Sequence, residues 1–219
     1  MIIANSNSIH KELENRLKRK YDAIIVNNKE DLTFEFLQAL QPDYVFFPHW
    51  SYIIPPKIYK NFECIVFHMT DLPYGRGGSP LQNLTLIGHE KTKVSALKVQ
   101  KGIDTGAIYL KKDLSLLGTA EEVFLRTSVI VETMIEEIIN VKVKPVEQEG
   151  EVTLFARRKP EDSNIKALKT LNEVFNYIRM LDAEGYPNAF LETEHFRFEF
   201  TRASLKKDNL LADVKVIKK

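Results

Sequence analysis

Three apolar runs of four residues each, Ala23–Val26, Tyr44–Phe47 and Cys64–Phe67, punctuate the first third of the chain. They are β-branched or aromatic and bounded by polar residues or proline, which fits buried strands of a parallel sheet. Helical stretches, Ile9–Arg19 and Leu32–Leu40, accompany them. Strand–helix alternation of this kind points to an α/β layer fold. Two more strands are expected at Val94–Val99 and Ala107–Lys111, around the turn Gly102-Ile103-Asp104-Thr105-Gly106. A capping-box pair, Thr119 and Glu122, then opens a helix whose apolar face runs from Val123 through Ile139.

Residues 141–165 change character, with two prolines and a glycine among charges, and read as a connector with a short strand at Thr153–Ala156. A small C-terminal unit follows. Thr170 and Glu173 form a second capping box, and Gly185 is the expected helix stop. Phe196, Phe198 and Phe200 alternate with Arg197 and Glu199, the pattern of a half-buried strand. The expected division is 1–145 for a sheet domain and 146–219 for the connector and C-terminal unit.

Charge is nearly balanced, 31 basic against 30 acidic side chains, which argues against bulk electrostatic binding to nucleic acid. The single cysteine, Cys64, excludes an internal disulfide and Cys-rich zinc patterns. No signal core and no run of 18 apolar residues occurs, so a cytoplasmic protein with no membrane partner is expected. The five histidines show no metal-ligand spacing, and no metal is expected.

In an open α/β sheet, ligands bind beyond the carboxyl ends of the strands. His68 directly follows the run Cys64–Phe67 and enters a loop rich in Gly and Pro, DLPYGRGGSP. The plain alternative is a surface histidine before a turn. Asp104 sits between Gly102 and Gly106 after another strand, where an aspartate is ordinarily a turn former. Two such groups at strand ends of one sheet can meet, and an aspartate beside an imidazole fixes its tautomer for acid–base work. Cys64 lies inside an apolar run, there is no G-x-S-x-G, and neither G-x-G-x-x-G nor a P-loop is present.

HMTDLPYGRGGSP followed by GIDTGAIYL resembles the 10-formyltetrahydrofolate-dependent formyltransferases, whose pattern is N-x-H-x-S-L-L-P-x-x-R-G-x-x-P and then D-x-G. The resemblance covers about Tyr44 to Asn140 and implies a Rossmann-like formyltransferase domain with a mostly parallel sheet, plus a small α+β C-terminal unit. It implies that His68 and Asp104 are the catalytic pair and that 10-formyltetrahydrofolate is the formyl donor. Thr70, Asp71, Leu72 and Pro73 occupy the family's cofactor loop. Tyr52, Ile53 and Ile54, with Gln100, Lys101, Gly102 and Ile103, fall where the family holds the pterin, and Ile53, Ile54 and Leu72 suit its apolar walls. One position departs: the family's catalytic asparagine is here Val66, which cannot donate to an oxyanion. Asn83, Thr70 and a protonated His68 are the substitute donors to consider.

FARRKPED and GYPNAFL resemble the sugar N-formyltransferase branch, and FHMTDLPYGRGGSP resembles members of nonulosonic (pseudaminic-type) acid clusters. Residues 151–219 hold 13 basic and 11 acidic side chains, a net of +2 and a poor polyanion surface. The expected acceptor is therefore a nucleotide-linked amino sugar, with folate as the other partner and no nucleic acid. The alternatives are a methionyl-tRNA formyltransferase-like enzyme, or a non-catalytic folate- or sugar-binding module in which Val66 has abolished turnover. The phenylalanine face of FRFEF suits a homodimer contact or core packing within one chain equally well.

Overall fold

The computed structural model describes residues 1–219. Its main sheet has six strands: β1 (Ile2–Asn5), β2 (Ile24–Val26), β3 (Val45–His49), β4 (Cys64–His68), β6 (Lys91–Lys98) and β7 (Ile108–Ser115), with the two-residue strand β5 (Arg76–Gly77) between β4 and β6 in the chain. The spatial order is β2-β1-β3-β4-β6-β7. The first four strands pair in parallel and β6 runs antiparallel to β4, so the expected α/β class with a mostly parallel sheet holds.

The helices follow from local sequence. Those associated with the sheet are α1 (Lys11–Tyr21), α2 (Phe34–Leu40), α3 (Pro56–Tyr59) and, after α4 (Pro80–Leu86), the long α5 (Ala120–Val141). Thr33 caps α2 by accepting from the Phe36 N–H, and Pro55 and Pro56 set the start of α3. One sheet face gives Ile2, Ala4, Val45, Phe47 and Cys64 to a core that also holds Leu37 of α2 and Ile58 of α3. The alternate residues Ile3, Phe46 and Ile65 are equally buried, so both sheet faces are covered, as a parallel sheet requires. On α1 and α5, Arg16 bonds Glu132 at 2.7 Å and Lys20 bonds Glu136 at 2.6 Å.

Packing groups the chain into two compact units that do not follow a single cut. One comprises 1–77, 92–114 and 124–154; the other comprises 78–91, 115–123 and 155–219. After β8 (Leu154–Phe155), the second unit contains α6 (Leu171–Arg179) and the antiparallel meander β9 (Ala189–Glu192), β10 (Phe196–Leu205) and β11 (Leu210–Lys218). Both expected capping boxes form: Thr119 N–H bonds the Glu122 carboxylate at 2.7 Å, and Thr170 N–H bonds that of Glu173 at 2.8 Å. Gly185 takes a left-handed φ of 78°, but α6 ends earlier, at Arg179. The phenylalanine stripe is buried unevenly. Phe200 packs against the cluster of Ile178, Met180, Leu181 and Ala189, while Phe196, opposite Lys218, stays exposed. No helix is long and apolar enough to cross a membrane.

β1 was absent from the strands expected, yet it lies between β2 and β3. Its four residues are all buried, and the polar sequence Asn5-Ser6-Asn7-Ser8, which begins at its last residue, hides the short apolar run. Cys64 is enclosed in the core, and burial, then the neighbouring Glu63, pushes its thiol up to about 12, so it is no nucleophile.

His10, at the start of α1, is 2% exposed and its Nδ1 lies 2.5 Å from the Ser128 hydroxyl. Burial, then the neighbouring His49, lowers its pKa from 6.5 to about 3. A histidine depressed in the fold stabilises fully above its unfolded pKa and loses that contribution as pH falls towards the folded value. Replacing His10 with Gln is therefore expected to flatten the stability profile between pH 7 and 5. Urea unfolding should show the parent losing about 2 kcal/mol more than the variant over that interval; parallel profiles would rule the effect out.

Candidate active site

β4 ends at His68, and the chain then turns through Thr70–Gly75 before β5. His68 is 8% exposed. Its Nε2 lies 2.8 Å from the Gly75 carbonyl. A carbonyl can only accept, so this contact assigns the proton to Nε2 and turns Nδ1 towards Asp104, whose Oδ2 is 3.5 Å away. The same carboxylate oxygen accepts the Gly77 N–H at 2.9 Å. The two residues expected to meet across strand ends thus do so, tied to one loop from both sides.

Asp104 reaches this place through an unusual turn. Its own φ is 53°, in the left-handed region where aspartate is better tolerated than most residues, and Gly102 has a φ of 105°. Gly106 fixes where the turn rejoins the sheet: a Cβ there would lie 1.7 Å from the Lys98 carbonyl oxygen of β6. No side chain fits that approach, so Gly106 is a packing requirement.

The residues expected around the donor divide by exposure. Thr70 and Leu72 are buried, and Ile54 is part of the core beneath the sheet. Thr70 Oγ1 points to the Gly75 carbonyl at 3.4 Å, and its carbonyl accepts from Ser95 at 2.7 Å. The Leu72–Pro73 peptide is cis. Tyr52 and Ile53 are exposed, as are Gln100, Lys101, Gly102 and Ile103. Gln100 Nε2 bonds the Thr105 carbonyl at 2.9 Å, closing the turn that carries Asp104. Asp71 is paired: Lys111 of β7 bonds its carboxylate at 2.6 Å and the Leu72 carbonyl at 2.5 Å, and Lys93 of β6 lies 3.3 Å from it. Partial burial is the largest influence on that carboxyl and opposes ionisation, but the two lysines together hold its pKa below the usual value.

Val66 shares a face with Cys64 and packs against the same core. Of the substitute donors considered, Asn83 belongs to the second unit. Its amide nitrogen lies 3.0 Å from each of the Gly78, Ser79 and Ala156 carbonyls, so it holds its own loop. The Thr70 hydroxyl is fully buried. His68 remains. One contributor escaped notice in the sequence: Gln148, from the connector, bonds the carbonyls of Asp104 and Gly106. No group of three or more His, Cys, Asp or Glu side chains could hold a metal ion.

His68 at the carboxyl end of β4, with the Asp104 carboxylate beside its imidazole, is an arrangement capable of proton transfer. The family model described as formyl transferase matches residues 8–132, more than half the chain, and the model described as methionyl-tRNA formyltransferase, C-terminal domain, matches 160–217. The chain belongs to the formyl transferase family. A solved methionyl-tRNA formyltransferase from Clostridium thermocellum is 51% identical with a TM-score of 0.97, covering 100% of this chain and 98% of that one. The methionyl-tRNA formyltransferase of Thermodesulfovibrio yellowstonii is 30% identical over 69% of this chain and 52% of its own length, so the chain spans about half the length of that curated relative. A sugar N-formyltransferase from Shewanella is 14% identical with a TM-score of 0.69, covering 94% of this chain and 98% of that one; it shares the fold alone.

Two expectations are thereby overturned. The amino-sugar acceptor rested on FARRKPED, but the residues from 160 onward match a methionyl-tRNA formyltransferase domain. The exclusion of a nucleic-acid partner rested on the net charge of 151–219, yet the solved structure that covers the whole chain and the relative that covers 69% of it are both named for a tRNA substrate. Net charge averages over a surface. It is blind to how 13 basic side chains are distributed among their acidic neighbours.

The pairing of Lys111 gives a test of the loop. Replacing Lys111 with Met should raise amide hydrogen exchange across Thr70–Gly75 roughly tenfold, the worth of one charged hydrogen bond after solvent screening. Lys93→Met, removing the longer contact, should do less. No effect from either variant would show that the lysines do not hold the loop, and equal effects would show that the shorter contact is not the stronger.

Proposed function

We propose that the chain transfers the formyl group of 10-formyltetrahydrofolate to the amine of an aminoacyl-tRNA, with methionyl-tRNA as the acceptor. The observation that carries this reading is the His68–Asp104 pair, 3.5 Å apart, inside a formyl transferase domain whose 51%-identical relative bears the methionyl-tRNA formyltransferase name over its full length. Such an acceptor places the reaction in the cytoplasm.

The neutral amine attacks the formyl carbon, and a carbon–nitrogen bond forms as the carbonyl oxygen gains charge. The bond from that carbon to N10 of the folate then breaks. The amine loses a proton and N10 gains one. His68 is the group placed to take and return that proton, with Asp104 holding its orientation. Its protonated form also stabilises the oxyanion, a role that Val66 cannot share. The exposed side chains of Tyr52 and Ile53 and the backbone of Gln100–Ile103 supply contacts for the pterin, while Thr70–Pro73 shape the loop beside His68. A second reading, a folate-binding module without turnover, draws on Val66 alone.

Purified protein, 10-formyltetrahydrofolate and either methionyl-tRNA or a nucleotide-linked amino sugar separate these readings by mass spectrometry. Formylmethionyl-tRNA should accumulate, and His68→Ala should lower its rate by roughly 100- to 10,000-fold while keeping the fold. Folate binding with no formyl product would mean a module without turnover. Formylation of the sugar alone would reject the tRNA acceptor.

Val66→Asn restores a donor on the His68 face of β4. It is expected to raise kcat by up to about 100-fold, the lower end of what one oxyanion donor contributes. A drop in kcat with an intact fold would show that Val66 has a packing role the site depends on.

A further inference from the structure

Gln148 lies in the connector between α5 and β8, among charged and exposed neighbours: Glu147, Glu149 and Gly150 are all exposed, and Gln148 is not. Its Nε2 donates to the Asp104 carbonyl at 2.8 Å and the Gly106 carbonyl at 2.7 Å. Its Oε1 accepts from Arg76 twice, from Nε at 3.1 Å and Nη2 at 2.8 Å. All four contacts agree with one orientation of the amide. Turned over, the oxygen would face two carbonyls and the NH2 group would face a guanidinium, four repulsive contacts in place of four attractive ones.

The partners make this more than a loop tie. Asp104 and Gly106 bracket the turn whose carboxylate faces His68 Nδ1. Arg76 stands between Gly75, whose carbonyl meets His68 Nε2, and Gly77, whose N–H meets the Asp104 carboxylate. The side chain of Gln148 therefore closes a ring through both sides of the pair: His68, the Gly75–Gly77 loop, Arg76, Gln148, the 104–106 turn, and back to His68. The connector is held in register for this. Val146 exchanges two backbone hydrogen bonds with Ile108, at 2.7 and 2.9 Å, and the Thr153 carbonyl accepts from the Arg76 N–H at 2.9 Å. A single amide has the two donors and one doubly accepting oxygen that this junction needs; a carboxylate, a hydroxyl or an ammonium does not.

We infer that Gln148 is a positioning residue for the reaction, setting the distance between His68 and Asp104 by locking the Asp104 turn to the Arg76 loop. It acts through His68 and Asp104 and not on the substrates. This inference rests on the formyl-transfer reading for its kinetic consequence, but the geometry it describes belongs to the free protein.

Two variants test it. Gln148→Leu keeps the size and removes all four hydrogen bonds. It should lower kcat by about 10- to 100-fold, since misplacement of about 1 Å has that effect, with KM for the donor within about threefold and a melting temperature close to the parent's. Gln148→Glu keeps the acceptor for Arg76 but turns an oxygen towards two carbonyls. Its activity should recover as pH falls and the carboxyl regains a donating proton, a limb absent from the parent profile. Amide exchange across residues 100–107 is measured on the same proteins without substrate, and should rise in Gln148→Leu. If the parent transfers no formyl group, the functional reading fails while the exchange arm still decides the lock. Unchanged exchange, or a Gln148→Leu enzyme with parental kcat, or a Gln148→Glu profile identical to the parent's, would overturn the inference.

Discussion

The Asp104 carboxylate is the constraint on which the candidate site depends. One oxygen faces the His68 imidazole and accepts the Gly77 N–H, so it joins the end of β4, the loop after it and the turn between β6 and β7. That turn can present the carboxylate only from a left-handed backbone, and it can close only because Gly106 leaves room for the Lys98 carbonyl. β4 and β6 are antiparallel neighbours, with His68 opposite Ser95 and Ile65 opposite Lys98, so the turn after Lys98 leaves the sheet beside the start of β4 and must itself bring the Asp104 carboxylate back to His68.

This explains why the pair was legible in the sequence. An apolar run ending in histidine fixes the residue to a strand terminus, and an aspartate between two glycines fixes another to a turn. The turn between β6 and β7 supplies the meeting. The same logic shows what was not legible. β1 has four residues and no flanking polar–apolar contrast on its N-terminal side, so local pattern could not distinguish it, although its burial between two neighbours makes it central. Gln148 carried no local signal at all. Among Glu147, Glu149 and Glu151 it reads as one more polar residue of a charged linker, and its partners lie 42 to 72 residues away.

The acceptor was misjudged for a different reason. Two arguments were applied to the C-terminal part: a short segment resembled one branch, and the summed charge was small. Neither is a property of a surface. Across the β9–β11 meander the acidic and basic side chains partly neutralise one another in specific pairs: Arg197 bonds Glu192 at 3.1 Å and Glu199 at 3.0 Å, and Lys219 bonds Glu192 at 2.8 Å. Lys206 and Lys207, exposed between the two strands, are left out of those pairs. A sum of +2 therefore says little about what an approaching polyanion meets, because paired charges contribute weakly and unpaired ones carry the field.

The replacement of asparagine by Val66 concentrates demands on one group. On the proposed reading, with Thr70 fully buried and Asn83 bonded to the Gly78, Ser79 and Ala156 carbonyls, His68 would both move the proton and stabilise the developing charge. These tasks pull in different directions, since the first needs the imidazole to lose a proton and the second needs it to keep one. A fixed distance between Nδ1 and Asp104 keeps the ring oriented for both, and Nε2, which meets the Gly75 carbonyl in the free protein, is the nitrogen that a substrate would engage. On that reading, the hydrogen bonds that tie the turn, loop and connector around the pair would supply by position what the strand no longer supplies by a second donor.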